Sequence, residues 1–139
     1  MADVMRVFVE KKPGFDVEAG HVLSDLRDTL GICELTSLRL INRYDIEGLT
    51  NEEFELAARN VLSEINVDNL YLEFKPENGW RFFASEFLPG QYDQRADSAA
   101  QCIALLTGGE RPRVQTARIY AFEGNISDET FDKIKSYLI

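Results

Sequence analysis

Phe87–Leu106 reads FLPGQYDQRADSAAQCIALL. It holds the end of an extended segment, a Pro89-Gly90 turn, an Asp93 N-cap and a helix whose Ala96, Ala99, Ala100, Ile103 and Leu106 recur at the spacing of a buried stripe. The chain opens in the same order. Glu10, Pro13 and Gly14 fall on Glu86, Pro89 and Gly90 at an offset of 76 residues, as Tyr44, Glu47 and Gly48 fall on Tyr120, Glu123 and Gly124. Asp16 maps to Asp93 and Phe54 to Phe131 at an offset of 77. Strand, helix, long strand, helix is therefore written twice, which marks an internal repeat. The fold class that follows is α+β: two tandem halves, 1–76 and 77–139, related by a pseudo-twofold within one domain. Their mostly antiparallel sheets carry helices on one face, so the halves should bury their remaining sheet faces or edges together.

Working outward, Val4–Glu10 alternates as a strand, with Val7 and Val9 on one face and Arg6, Phe8 and Glu10 on the other. Asp16 caps a first helix with Val17, Ala19, Val22, Leu23, Leu26 and Leu30 on its apolar side, and Gly31 stops it. Thr36–Glu47 alternates for so long that a bend or bulge is expected. Thr50 and Glu53 form a capping box for a helix that buries Phe54, Ala57, Ala58, Val61, Leu62 and Ile65. Leu70–Lys75 and Trp80–Phe87 read as strands joined into a hairpin through Pro76-Glu77-Asn78-Gly79. Arg113–Glu123 is the second long strand, and Ser127 caps a last helix burying Phe131, Ile134, Tyr137 and Leu138. In the first half the strand Leu70–Lys75 completes the sheet. Its counterpart would lie past Ile139, so the second half is expected to expose an open edge capable of self-association.

Composition excludes several function classes. A net charge of −9 repels phosphate backbones and anionic lipid surfaces, which argues against nucleic-acid and membrane binding. The longest apolar run, Ala99–Leu106, is too short to span a bilayer, and Met1–Glu10 has no signal-peptide pattern, so a cytoplasmic location is expected. Cys33 and Cys102 are then reduced thiols, each expected as a small buried apolar filler with no basic neighbour to activate it. The single His21 falls on a solvated helix side. Nothing clusters as metal ligands, and the glycines of Thr107–Pro112 lack the Lys-Ser/Thr of a phosphate cradle.

The polar stripe of the helix after Asp93 is the candidate site: Gln94, Asp97, Ser98 and Gln101, short or neutral groups where a solvated face usually carries Lys and Glu, with Arg95 as an ion-pairing group between Asp93 and Asp97. Such a face suits docking onto protein, although the residues alone leave an ordinary solvated face open as well.

FLPGQYDQRADSAAQCIALL resembles the N-terminal region of large, single-chain phosphoribosylformylglycinamidine synthase, as do RVFVEKKPGFDVEA at Arg6–Ala19 and NRYDIEG at Asn42–Gly48. The resemblance implies two ferredoxin-like PurS-type units fused into one PurS-dimer-like domain. It implies a scaffold role in purine biosynthesis: docking on the synthetase and glutamine amidotransferase domains of the same enzyme through Gln94, Arg95, Asp97, Ser98 and Gln101. The parent ligase would use ATP, magnesium and glutamine-derived ammonia; this chain would hold no cofactor and no catalytic residue. The alternative is a small-molecule-binding regulatory domain of tandem ferredoxin-like type, with its effector between the repeats.

Overall fold

The computed structural model describes residues 4–75 and 79–139. The chain runs β1 (Val4–Lys11), α1 (Val17–Thr29), β2 (Leu35–Glu47), α2 (Asn51–Ala57), β3 (Asp68–Tyr71), β4 (Trp80–Glu86), α3 (Gln94–Thr107), β5 (Arg113–Gly124) and α4 (Asp128–Leu138). The strands form one antiparallel sheet in the order β3-β1-β2-β5-β4. The halves thus join edge to edge through their long strands, which form a single sheet.

The repeat is kept in the register. Val4 pairs with Glu47 and Glu10 with Ile41; adding 76 to each gives the pairs Trp80 with Glu123 and Glu86 with Ala117, which also form. In the β2–β5 ladder Asn42 faces Arg118, the residue 76 positions on. The bulge expected in the long strand lies between Leu35 and Ser37, opposite the end of β5. Gly124 meets the Glu34 backbone there at φ +148°, where a Cβ would stand 2.3 Å from the Glu34 carbonyl oxygen.

The hairpin between the third and fourth strands does not form. β3 is two residues earlier than the periodicity suggests and pairs with β1, while β4 pairs with β5 at the opposite edge. The turn assigned to Pro76, Glu77 and Asn78 lies outside the described residues, as does the start of the chain at Met1–Asp3. Local turn chemistry lost to the register of the repeat, which reserves β5's outer edge for β4. The segment after β3 instead sets Phe74 on the helix-free side of the sheet, between Phe8 of β1 and Phe82 of β4 at centroid distances of 6.0 and 6.4 Å. It packs there against Phe8, Ile41 and Ile119. Ion pairs cross the same side: Arg6 to Asp45, Arg43 to Asp45 and Glu86, and Arg39 to Glu10.

The helices cover the other face as two mixed pairs. α1 and α4 pack with Leu35, Leu38, Phe83 and Phe122, whereas α2 and α3 pack with Val7, Val9, Tyr44 and Ile46. Each core therefore draws one helix from each half. The Thr50–Glu53 capping box is present, and Ser127 and Asp93 accept hydrogen bonds from Thr130 N–H and Ala96 N–H. Asp16 stands at the N-cap of α1 without capping it; its carboxylate accepts from Gly14 N–H instead.

Several expected core residues are exposed: Val17, Ile65, Leu106 and Tyr137. Ile65 leaves the core because α2 passes into a π-helical turn over Ala58–Leu62, closed by the Ser63 hydroxyl donating to Ala58 O, and the chain then turns away. Val17 and Leu106 stand in the end turns of α1 and α3, away from the sheet. Cys33 and Cys102 are exposed as well, not buried fillers, because one lies in the loop after α1 and the other on a flank of α3 that borders open space; both are free thiols. His21 is exposed. No helix among the described residues is long and apolar enough to cross a membrane.

Candidate functional site

The helix-facing row of β2 reads Leu38, Leu40, Asn42, Tyr44, Ile46, and that of β5 reads Phe122, Tyr120, Arg118, Thr116, Val114 in the matching register. The polar Asn42–Arg118 rung interrupts both apolar stripes, so neither helix pair covers it. A cleft of about 1190 Å³ opens there between the pairs. Tyr44, Thr116 and Arg118 line its floor, Arg95, Ser98 and Cys102 of α3 one wall, and Phe87, Leu88 and Tyr92 its mouth.

α1 and α3 both begin over this rung, and each sends one polar side chain across to the other half. Arg118 donates to the Glu18 carboxylate of α1, and Arg95 of α3 donates to the Asn42 side-chain carbonyl. Burial opposes the charge on Arg118, but the Glu18 carboxylate and the Tyr120 hydroxyl outweigh it and hold its pKa above the ordinary value. Burial pushes the Tyr44 hydroxyl up, while the positive charge of Arg95 pulls it the other way. Asp93 ties the start of α3 to the floor: one carboxylate oxygen caps Ala96 N–H at 2.9 Å, and the other accepts from the Thr116 hydroxyl at 2.6 Å and the Thr116 N–H at 3.2 Å.

The stripe read from the sequence divides here. Gln94, Arg95 and Ser98 line the cleft. Gln101 borders a separate hollow with Leu105, Gly108 and Arg111. Asp97 accepts from the Tyr92 hydroxyl at 3.0 Å, which raises the Tyr92 pKa, and lies 3.4 Å from Arg111. Arg95 makes its hydrogen bond to Asn42, not to the flanking acids, because residues one and two apart on a helix point in different directions. Sequence reading missed Glu18, Tyr44 and Arg118. A signal was present: a polar residue interrupts the helix-facing row at the same repeat position in both halves. Among the described residues no group of three His, Cys, Asp or Glu could hold a metal ion. Hydrogen bonding and charge pairing in a half-apolar cleft are what this arrangement supplies, which is the equipment of a binding site.

No family model, no curated protein and no solved structure matches this chain.

Proposed function

We propose that this chain is the N-terminal PurS-like scaffold of a large phosphoribosylformylglycinamidine synthase, built from two ferredoxin-like halves about a pseudo-twofold. The observation that carries the reading is the 76-residue repeat in strand register, with the halves joined through their second strands. Two β-α-β-α units fused side by side would give that register. The likeness at Arg6–Ala19, Asn42–Gly48 and Phe87–Leu106 supplies the family. In this reading the chain sits in the cytoplasm and performs no chemistry itself; it aligns the glutaminase with a synthetase that uses ATP and magnesium, so that ammonia crosses without loss. Gln94, Ser98 and Gln101 offer exposed amide and hydroxyl groups for docking, while Arg95 and Asp97 are held by Asn42, Tyr92 and Arg111.

The test is the double substitution Gln94→Ala with Gln101→Ala in the full-length enzyme. Activity with added ammonia should stay near the parent level while glutamine-driven activity falls several-fold. Equal loss of both activities, or no loss of either, removes the docking reading. A second reading, a small-molecule regulatory domain, is favoured by one observation: the large cleft lies at the junction of the repeats.

A further inference from the structure

The two polar crossings at the pseudo-twofold are unequal. At the helix offset of 77 Glu18 corresponds to Arg95, and at the strand offset of 76 Asn42 corresponds to Arg118. On the α1 side a carboxylate, that of Glu18, lies at the start of the helix against Arg118. On the α3 side the place of that carboxylate holds a cation, Arg95, and the place of Arg118 holds the neutral amide Asn42. Arg95 therefore makes no ion pair among the described residues; its hydrogen bond goes to the uncharged Asn42.

Tyr44 supplies an independent sign. It is 8% exposed, it lines the cleft, and its hydroxyl makes no hydrogen bond among the described residues. Its ring is buried while its hydroxyl opens on the cleft with no partner among the described residues, which leaves a donor free for a ligand. Arg95 lines the same cleft. A donor lacking an acceptor and a cation lacking an anion thus face one space, and Leu62, Leu88 and Leu138 line the rest of it.

We propose that the cleft binds a small organic acid, its carboxylate set between the Arg95 guanidinium and the Tyr44 hydroxyl and its apolar body lying toward Leu62, Leu88 and Leu138. The ligand carboxylate supplies Arg95 with the anion that Glu18 supplies to Arg118. A singly charged head suits the site better than phosphate, since the chain carries a net charge of −9 and further negative charge would meet its field. At physiological salt that field is screened beyond about 8 Å, so the nearby Arg95 decides the outcome. The inference deepens the small-molecule reading of the cleft and is independent of the docking reading.

Amide NMR titration of the protein with 3-phenylpropionate, its neutral analogue 3-phenylpropanamide and inorganic phosphate tests it. The acid should bind saturably and shift the amide signals of Tyr44, Arg95 and Ser98. The neutral analogue should bind about tenfold more weakly, as expected for loss of a charge-assisted hydrogen bond, and phosphate more weakly still. Arg95→Gln should weaken the acid about tenfold and leave the analogue unchanged; Tyr44→Phe should weaken the acid by about threefold. Arg111→Gln, outside the cleft, serves as the control. Equal affinity for acid and analogue, indifference to Arg95→Gln, or phosphate binding as tight as the acid overturns the proposal while retaining a ligand site. Saturation by none of the three overturns the ligand site too, leaving the docking test on the full-length enzyme unaffected.

Discussion

The two halves share a strand register and fill it with different side chains. Where the first half places Val7, Tyr44 and Ile46 on the helix-facing side, the second places Phe83, Tyr120 and Phe122. Around α1 and α4 this gives an aromatic cluster, with Phe83 stacked on Tyr120 at 5.1 Å and on Phe122 at 5.8 Å, and Phe131 edge-on to Phe122 at 6.1 Å. Around α2 and α3 the equivalent space is mostly aliphatic. The halves also end differently: β3 covers the outer edge of β1, while the outer edge of β4 carries no strand among the described residues. A repeat therefore conserves backbone geometry, which is set by hydrogen-bond register, more strictly than core composition, because a given volume can be filled by more than one set of apolar side chains.

Since each core draws one helix from each half, the comparison is broken most directly by emptying equivalent core positions. Phe122→Ala should cost about 4 kcal/mol and Ile46→Ala about 3 kcal/mol, both residues being fully buried. In urea melts followed by far-ultraviolet dichroism and by tyrosine fluorescence, each variant should unfold in one transition common to both probes. Separate transitions for Ile46→Ala would show that the two cores are independent.

A smaller effect distinguishes the two caps. Asp93→Ala removes the bond to Ala96 N–H and both bonds to Thr116, and should cost about 1–2 kcal/mol. Asp16→Ala at the corresponding place removes only a bond from Gly14 N–H and should cost under about 0.5 kcal/mol. Midpoints shifted equally by the two substitutions would erase the distinction.

The smallest effect depends on pH. Tyr137 of α4 donates to Asp25 of α1 at 2.7 Å, whereas the residues 77 earlier and later, Asn60 and Cys102, make no such bond. Hydrogen bonds from Tyr137 and Thr29 hold the Asp25 carboxyl below its ordinary value. A lowered carboxylate pKa adds stability above the unfolded value of about 3.9, and that stability is lost as pH falls through the lower folded value. Tyr137→Phe should therefore lower the melting temperature slightly at about pH 6 and leave it unchanged at about pH 2, with Asn60→Ala showing no comparable pH dependence. An equal drop for Tyr137→Phe at both pH values would assign the effect to packing.

Much of the fold was legible because it is local. Strand alternation at Val4–Glu10 and Thr36–Glu47, the Thr50–Glu53 box and the Asp93 and Ser127 caps depend on residues within a turn or two of one another, and the 76-residue offset carried them from one half to the other. The false hairpin came from the same kind of signal: Pro-Glu-Asn-Gly reads as a turn, yet the neighbour of β4 is chosen by a ladder to β5 some forty residues on. Exposure of Cys102 was equally illegible, since a helix pattern does not say which flank a partner covers.

The sequence by itself determined the two-fold repetition of elements, their caps and the apolar faces, because helix and strand periods and capping bonds act within a single segment. Only the tertiary structure decided that the repeats join β2 to β5, that each core mixes helices from both halves, and that Asn42, Arg118, Glu18, Tyr44 and Arg95 meet over one cleft. Those residues are as much as a hundred positions apart in the chain. What brings them together is the β2–β5 register, a choice made by long-range hydrogen bonding and burial that no local period encodes.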